Sequence, residues 1–528
     1  MASESSPLLA YRLLGEEGAA LPANGAGGPG GASARKLSTF LGVVVPTVLS
    51  MFSIVVFLRI GFVVGHAGLL QALAMLLVAY FILALTVLSV CAIATNGAVQ
   101  GGGAYFMISR TLGPEVGGSI GLMFYLANVC GCAVSLLGLV ESVLDVFGAA
   151  GYAEDYTTGA MMNFASVFAV LFNGCTGIMA GANMSGELKD PSRAIPLGTI
   201  VAVAYTFFVY VLLFFLSSFT CDRTLLQEDY GFFRAISLWP PLVLIGIYAT
   251  ALSASMSSLI GASRILHALA RDDLFGVILA PAKVVSRGGN PWAAVLYSWG
   301  LVQLVLLAGK LNTLAAVVTV FYLVAYAAVD LSCLSLEWAS APNFRPTFSL
   351  FSWHTCLLGV ASCLLMMFLI SPGAAGGSLL LMGLLAALLT ARGGPSSWGY
   401  VSQALLFHQV RKYLLRLDVR KDHVKFWRPQ LLLLVGNPRG ALPLLRLANQ
   451  LKKGGLYVLG HVTLGDLDSL PSDPVQPQYG AWLSLVDRAQ VKAFVDLTLS
   501  PSVRQGAQHL LRISGLESGT LLPWGFRS

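Results

Sequence analysis

The stretch whose residues are best suited to chemistry is Gly174–Thr199, GCTGIMAGANMSGELKDPSRAIPLGT. It begins inside an apolar segment and ends in polar and charged residues. Its repeated glycines weaken a helix, and Pro191 ends it. In lipid, the backbone groups that such a break frees need partners, so the break indicates nearby protein, water or a bound ligand. The backbone amides of Gly177, Ile178 and Met179 are suited to binding an anion.

The same glycines allow a second interpretation. Gly177 and Gly181 form a GxxxG pattern, which in membranes packs one helix against another. The polar exit from Asn183 to Pro191 favours the broken helix with an ion site, because many transporters hold ions at such breaks.

Three ionisable residues, Arg59, Glu141 and Asp330, lie within apolar stretches. Such residues are costly in lipid and indicate function. For Arg59 we expect snorkelling towards the outer end of its span, and for Glu141 a structural role beside a polar neighbour. Asp330 suggests a cation or proton site. The alternative for Asp330 is a carboxylate satisfied by the backbone or by a salt bridge.

The composition is that of a polytopic membrane protein. The chain is 56% hydrophobic and only 11% charged, against about 25% charged in soluble domains, and its mean hydropathy is +0.76. The net charge of +7 is attributed to topology and not to nucleic-acid binding. Most of the eight cysteines lie in apolar segments, and their spacing indicates neither disulfides nor a metal site. No nucleophile–base pair or phosphate loop indicates an enzyme or a cofactor.

Ten apolar runs are long enough to span a membrane. They lie near residues 40–64, 69–95, 117–147, 162–182, 197–219, 238–269, 292–309, 313–336, 352–371 and 376–392. With the N-terminus inside, the basic loop residues fall on the cytoplasmic side. They are Lys189, Arg193, Arg264, Arg271, Lys283, Arg287, Arg345 and Arg392. The pattern therefore predicts that both termini are cytoplasmic.

Residues 1–36 are rich in Gly, Ala, Ser and Pro and are expected to form a disordered cytoplasmic tail. Glu4, Leu8 and Leu9 resemble an acidic dileucine sorting signal for endosomes and lysosomes; a chance match is the alternative. The transmembrane domain is expected over 37–393.

Residues 394–528 are expected to form a cytoplasmic α/β domain. A basic amphipathic helix at 408–428 lies either against anionic lipid or in water. Three strands and three helices then alternate, which predicts a small parallel sheet. The strands are expected at 430–436, 455–462 and 493–499, and the helices at 442–453, 481–492 and 503–513. The loop 436–440 lacks a phosphate-binding pattern, so no nucleotide site is expected. The pattern stops after Gly515, as if the domain were cut short.

Several stretches together resemble the cation-chloride cotransporter family. Besides the broken helix, they are QGGGAYFMISRTLGPEVGGSIGL at 100–122, SMSSLIGASRILHALARDD at 255–273, PNFRPTFSLFSWHTCLLGVASCLLMMFLISP at 342–372 and QLLLLVGNPR at 430–439. The resemblance covers most of residues 38–515. It implies a LeuT-like fold with an inverted repeat of five plus five spans and two more, and a homodimer. It also implies electroneutral movement of chloride with potassium, with or without sodium.

The chain departs from the family in its number of spans, ten instead of twelve. The junction at 145–154 falls where the fourth and fifth spans and a long outer loop belong. Loss of two spans keeps the orientation of the rest, leaves three spans in the first repeat and opens one side of the substrate site. With the early end of the α/β domain, it suggests a shortened isoform.

The residues that the resemblance assigns to chloride are kept. Gly177, Ile178 and Met179 match the backbone cradle, and Tyr326 matches the tyrosine that donates its hydroxyl to the anion. A second anion contact is implied at Ser53–Val55 (Ser53, Ile54, Val55), where the first span breaks.

The positions that the resemblance assigns to cations are eroded. Ser50, Ser135 and Asn173 replace the family's Asn, Tyr and Pro, whereas Thr176 remains. The sodium-site pair of serines is interpreted as reduced to Ser253 with Ala254. Two long side-chain ligands are lost, which weakens or retunes a potassium site; altered packing is the alternative. The family has a neutral residue at Asp330, so this carboxylate is a candidate replacement for the lost cation site.

Two functions follow from these observations. The first is a secondary transporter subunit for chloride with a cation or small solute, impaired in this chain by its missing spans. The second is a non-transporting accessory protein that associates with a sibling cotransporter and inhibits it. The expected assembly is a homodimer or a heteromer with that sibling. The expected location is the plasma membrane, with endosomal or lysosomal membrane as the alternative.

Overall fold

A computed structural model provides the structure of the chain. It describes residues 37–52, 58–96, 102–147, 164–228, 231–286, 290–307, 311–340, 344–346, 350–393, 401–416, 429–438, 440–452, 454–466, 473–514 and 522–524. Contacts between residues divide the chain into two compact units, 1–408 and 409–528. Each unit is described by itself. The expected sorting signal at Glu4, Leu8 and Leu9 and the anion contact at Ser53–Val55 lie outside the described residues.

The first unit is helical throughout its regular elements. Its helices are α1 (Val45–Met51), α2 (Ile60–Ala67), α3 (Leu69–Thr95), α4 (Gly103–Leu112), α5 (Pro114–Phe147), α6 (Phe164–Cys175), α7 (Ala180–Asn183), α8 (Pro191–Thr220), α9 (Arg223–Glu228), α10 (Phe232–Ile236), α11 (Pro240–Arg271), α12 (Trp292–Leu306), α13 (Leu311–Trp338), α14 (Trp353–Ile370) and α15 (Pro372–Arg392). A π-helical turn, Phe40–Val44, precedes α1, and 3₁₀ turns at Thr176–Met179 and Ser185–Glu187 flank α7. Two further 3₁₀ turns lie at Gly276–Ile278 and Ala280–Lys283.

Eight of the described helices are long and apolar enough to cross a membrane. They coincide with eight of the ten predicted spans. The other two predicted positions contain the shorter apolar helices Phe40–Met51 and Trp292–Leu306. A multi-span α-helical membrane protein, as the composition predicts, is therefore confirmed.

The helix ends follow from proline and glycine. Pro191, Pro240 and Pro372 occupy the first turns of α8, α11 and α15, where a missing N–H costs nothing. Gly68, between α2 and α3, has a φ of +77°, and Gly113, between α4 and α5, has a φ of +103°. Only glycine adopts this left-handed backbone freely, so the chain turns sharply at both points.

The centre of this unit is built on α5 and α13. Helix α5 packs along α11 and α13, and α13 also packs against α3, α6 and α14. Buried aromatic and aliphatic side chains from these helices form one continuous core. The broken elements at α1 and α6–α7 are held against this rigid group, with α1 in contact with α11 and with the 3₁₀ turn Thr176–Met179.

The second unit contains a parallel sheet of four strands. The elements are β1 (Gln430–Leu434), α17 (Leu442–Leu451), β2 (Leu456–Leu464), α18 (Gln476–Ala489), β3 (Phe494–Ser500), α19 (Val503–Ile513) and β4 (Leu522–Trp524). The strand order is β3-β2-β1-β4. Alternate residues face opposite sides: Leu433, Tyr457 and Val495 pack with α17 and α18, whereas Leu432 and Val458 pack with Leu510 of α19.

The predicted alternation of three strands and three helices is confirmed, with one correction. We expected no regular structure after Gly515, but Leu522–Trp524 form a short strand paired in parallel with Leu431–Leu433 of β1. Three residues that include a proline carry too little periodicity to predict a strand. Long-range pairing with the free edge of β1 defines it instead.

The basic stretch at 408–428 is helical in its described part. Helix α16 (Val401–Arg416) carries His408, Arg411, Lys412 and Arg416 and is largely exposed. Its charged residues therefore face outwards, as both alternatives for this segment require.

Candidate functional site

The predicted break after α6 takes the form of a 3₁₀ turn. Gly177 and Gly181 also pack closely against the first span, as the alternative GxxxG interpretation expects. Helix α6 ends at Cys175, the 3₁₀ turn Thr176–Met179 follows, and the four-residue helix α7 resumes at Ala180. Gly177, Ile178 and Met179 are all buried. A buried 3₁₀ turn therefore interrupts the α-helix inside the protein.

The broken segment lies directly against the end of α1. A Cβ atom placed on Gly177 would lie 2.7 Å from both Cβ and Oγ of Ser50 and 2.8 Å from the backbone N of Met51. Only a hydrogen atom fits in this gap. Helix α1 ends at Met51, so the point at which the first span stops being helical adjoins the break after α6.

Tyr326 joins α13 to this break. Its side chain is fully buried, and its hydroxyl donates a hydrogen bond to the backbone carbonyl oxygen of Thr176. The structure therefore brings Tyr326 to the residue directly before Gly177. Tyr326 and the glycine cradle, which the sequence predicts to act together, are neighbours.

A small cavity lies where these elements meet. Its volume is about 10 Å³, close to the least that holds a water molecule. Its lining combines four predicted residues with others from α5, α7, α11 and α13. The lining is Ser50, Phe124, Asn128, Thr176, Gly177, Met179, Ala180, Asn183, Ser257, Ser258 and Tyr322.

The polar atoms of this lining are neutral. Amide groups come from Asn128 and Asn183, and hydroxyl groups from serines, Thr176 and Tyr322. No Asp, Glu, Lys, Arg or His belongs to the described lining. Neutral oxygens of this kind suit alkali cations, while backbone and side-chain N–H or O–H groups suit anions.

Asn183 is the residue most clearly arranged for a ligand. Only 4% of its surface is exposed, and its Oδ1 has no hydrogen-bond partner among the described residues. Asn183 and Asn128 both lie beside Gly261 of α11. A Cβ atom placed on Gly261 would be 3.0 Å from Asn183 Nδ2 and 3.1 Å from Asn128 Oδ1. A buried acceptor without a donor costs stability unless a ligand or water satisfies it.

Several predicted site residues lie outside the cavity lining. Ser135 donates to the carbonyl oxygen of Gly131 in its own helix, at 3.1 Å. The backbone carbonyl of Asn173 accepts from Thr176 Oγ1 at 2.8 Å. Ile178, Ser253 and Tyr326 do not contribute to the lining, although Tyr326 bonds to Thr176, which does.

The serines of α11 that line the cavity are not the position that the resemblance assigns to sodium. Ser257 and Ser258 line it, whereas Ser253 and Ala254 do not. Ser257 is four residues after Ser253, so both lie on one helix face and periodicity alone does not separate them. The two adjacent serines, Ser257 and Ser258, were the feature of the sequence that could have indicated a polar site on this helix. Asn128 and Tyr322 were also missed, because single polar residues in apolar helices resemble packing positions.

Two ion pairs hold the broken elements. Arg59, beside the start of α2, places Nη1 and Nη2 at 3.2 and 3.1 Å from Oε1 of Glu141 on α5. Nη2 also lies 3.1 Å from Oε2. The Arg59 side chain is only 3% exposed. The expectation that Arg59 snorkels to water is therefore wrong, because the Glu141 carboxylate neutralises its charge inside the protein. Arg59 is also the polar partner expected for Glu141.

The second ion pair fastens the other end of the broken segment. Arg264 of α11 donates to Glu187, which follows α7. Beside it, the backbone of Leu37 pairs with that of Glu187 and Lys189. Arg59–Glu141 thus joins the start of α2 to α5, and Arg264–Glu187 joins the segment after α7 to α11.

Asp330 occupies a different place from the cavity. Its side chain is fully buried, and Oδ2 lies 3.2 Å from Thr86 Oγ1 of α3. Oδ1 has no partner among the described residues. A Cβ on Gly359 of α14 would lie 2.4 Å from Oδ2. Asp330 thus faces α3 and α14, and the alternative of a satisfying salt bridge is not seen in the described part of the chain.

The chain matches the family model "Amino acid permease" in two segments, residues 42–154 and 147–433. It is 83% identical over 619 residues to solute carrier family 12 member 9 of Homo sapiens, covering 98% of this chain and 68% of the relative. It is 57% identical over 625 residues to solute carrier family 12 member 9 of Danio rerio, covering 98% and 70%. It is 33% identical to vacuolar cation-chloride cotransporter 1 of Saccharomyces cerevisiae, covering 91% and 50%.

Proposed function

Because this chain belongs to the cation-chloride cotransporter family, in its divergent cotransporter-interacting-protein branch, we propose that it is a secondary transporter subunit that binds chloride together with a cation. The observation that carries this proposal is the cavity of neutral polar groups between the two helix breaks. A single ion there would be an uncompensated charge away from water, whereas a cation and an anion bound side by side offset each other. Because the cavity now has room for about one water molecule, binding of both ions requires the elements that line it to move apart.

The anion is assigned to the backbone at Gly177–Met179 and to the Tyr326 hydroxyl, with Ser53–Val55 as the proposed second contact. The Tyr326 hydroxyl donates to the carbonyl oxygen of Thr176, the residue directly before Gly177. This donor is therefore next to the break. To bind chloride, its hydroxyl rotates from the carbonyl of Thr176 to the anion. This exchange leaves the Thr176 carbonyl without that donor, at a cost of about 1–3 kcal/mol, which the new bond to chloride must offset.

The cation is assigned to oxygens in the same cavity. Ser50 and Thr176 keep their proposed roles, while Asn183, Ser257 and Ser258 take the place of Ser253 and Ser135. Asn173 contributes through its backbone position next to the break. The unpaired Oδ1 of Asn183 supplies an acceptor that no described protein group uses.

The two ion pairs supply a gating mechanism. In this proposal Arg59–Glu141 and Arg264–Glu187 close opposite ends of the solute path when both pairs are formed. Breaking one pair at a time gives access from one side at a time, which is the requirement of alternating access. The proposed LeuT-like inverted repeat would relate the two broken elements by its symmetry.

We also propose that this chain lacks two spans of its relatives and that the loss impairs transport. The alignment with the human relative extends over 619 residues, more than the 528 of this chain, so the relative contains positions without a counterpart here. The two matches to the permease model overlap at residues 147–154, within the junction suspected from the sequence. This supports a deletion there.

The accessory role is the second candidate, favoured by this same deletion. A subunit that keeps the family's surfaces but lacks part of its first repeat is suited to pair with an intact sibling cotransporter and inhibit it. Homodimerisation competes with such pairing. For either role we propose that both termini are cytoplasmic and that α16 faces anionic lipid. The proposed location is the plasma membrane, with endosomal or lysosomal membrane as the alternative.

Reconstitution into vesicles tests the proposal. We expect chloride uptake that requires a cation gradient and is slower than that of a relative with the extra residues. The matched control is the Asn183→Leu variant in the same vesicles. Co-purification with a sibling cotransporter, together with absence of uptake, would favour the accessory role instead.

A further inference from the structure

Asp330 forms a site of its own, apart from the ion cavity. We propose that Asp330 is a proton-binding site, which holds its proton while α3, α13 and α14 are packed together and releases it when they separate. The link from this site to ion movement rests on the proposed function. The binding of the proton itself rests only on the surroundings of Asp330.

The two contacts of the Thr86 hydroxyl are both satisfied by a protonated Asp330, whereas an ionised Asp330 satisfies only one at a time. Thr86 Oγ1 lies 3.4 Å from the carbonyl oxygen of Ile82 and 3.2 Å from Asp330 Oδ2. A threonine hydroxyl has a single hydrogen to donate. If the carboxyl group is protonated, its O–H donates to Thr86 and Thr86 donates to Ile82, so both contacts are satisfied at once.

The electrostatic surroundings favour the same state. Asp330 is fully buried, and its Oδ1 accepts no hydrogen bond from the described residues. The side chains near it are uncharged: Ser89 and Thr86 from α3, Cys333 from α13, and Cys356 and Cys363 from α14. An ionised carboxylate here would be an unpaired charge in a dry interior, which is far more costly than a neutral acid.

Helix α14 packs closely against the Oδ2 side of the carboxyl group. Gly359 of α14 approaches so closely that a Cβ there would lie 2.4 Å from Asp330 Oδ2. Ionisation therefore requires α14 or α3 to move away from α13 and admit water. Asp330 is one helical turn from Tyr326, and Tyr326 holds the break after α6 through Thr176. Movement of α13 on proton release is thus transmitted to the ion cavity.

Infrared difference spectroscopy of the purified full chain tests this inference directly. A protonated carboxyl group has a C=O stretching band that is distinct from the bands of a carboxylate. We expect this band at neutral pH in the unmodified chain and its loss in Asp330→Asn. The matched control is Glu141→Gln, which removes a carboxylate that pairs with Arg59 and should leave the band unchanged.

A second variant keeps the test decisive if Asp330→Asn does not fold. Thr86→Val retains the acid but removes its hydrogen-bond partner, so the same band should persist and shift in frequency. A difference spectrum in which Asp330→Asn removes only carboxylate bands, or in which Thr86→Val leaves the carboxyl band unshifted, would overturn the proposal.

The link to transport is tested separately. Chloride-dependent uptake of the unmodified chain should change with pH, and Asp330→Asn should reduce that pH dependence at least severalfold. An unchanged pH dependence overturns the link. If no uptake is seen at all, the proposed function fails, but the infrared band still reports whether Asp330 binds a proton.

Discussion

The hydroxyl of Tyr326 donates a hydrogen bond to the backbone carbonyl oxygen of Thr176, one residue before the glycine at which the sixth helix is broken. This contact connects a long, rigid helix to the least regular part of the membrane unit. It also holds the proposed anion donor at the place where an anion would bind.

Replacing Tyr326 with phenylalanine tests whether that donor binds chloride. Tyr326→Phe leaves the Thr176 carbonyl without this donor, at a cost of about 1–3 kcal/mol, and should abolish the rise in unfolding temperature that chloride produces. Tyr80→Phe is the matched control, because the buried Tyr80 hydroxyl bonds to Thr206 Oγ1 at 3.1 Å and not to the Thr176 carbonyl at the break. An equal chloride response in the two variants would contradict the assignment.

Gly177 tests the close contact between the two breaks. The Cβ of Gly177→Ala would lie 2.7 Å from Ser50 Cβ, so we expect destabilisation of about 1–3 kcal/mol and loss of ion-dependent stabilisation. Gly383→Ala is the control, since no atom lies within 4 Å of its added Cβ. That variant should be neutral or more stable by up to about 1 kcal/mol. Similar unfolding temperatures for the two variants would refute the packing described here.

Asn183 separates a ligand-binding role from a structural one. Its Oδ1 is buried without a partner, so Asn183→Leu removes an unsatisfied acceptor and should not lower stability in ion-free buffer. Cation affinity should fall about tenfold or more, which corresponds to about 1.4 kcal/mol. Titration of the unfolding temperature with potassium and sodium measures both effects. Ser253→Ala, outside the cavity lining, should titrate like the unmodified chain; a cation response retained in Asn183→Leu would exclude the proposed ligand.

The Arg59–Glu141 pair predicts a non-additive double-mutant cycle. Arg59→Met leaves Glu141 as a largely buried, unpaired carboxylate, at a cost of about 3–5 kcal/mol. The double variant with Glu141→Leu should recover much of that loss, because neither charge remains. Chemical unfolding of the four proteins gives the coupling energy. Additive effects would mean that the pair does not operate as one unit.

Elements with a strong local signal were predictable from the sequence. The ten apolar runs, the break after Cys175 and the alternating strands of the second unit each follow from periodicity, glycine and proline within a short window. Strand β4 was not predictable, because its three residues gain stability only from pairing with β1.

The site was predictable where the backbone defines it and less so where side chains do. Gly177 and Tyr326 were identified and lie together. Asn128, Ser257 and Tyr322 were missed because a polar residue in an apolar helix reaches a cavity only through the packing of distant helices. Asp330 was recognised as unusual, but only the structure separates it from the cavity.

The most direct test of paired ion binding is the unfolding temperature of the purified full chain in four buffers of equal ionic strength. The buffers combine potassium or N-methylglucamine with chloride or gluconate. A ligand that binds only the folded state raises this temperature, and two ions that bind together stabilise more than the sum of each alone. We predict such a synergistic rise in potassium chloride, with sodium chloride tested in parallel. Additive rises, or a cooperative transition that responds to neither ion, would contradict the account.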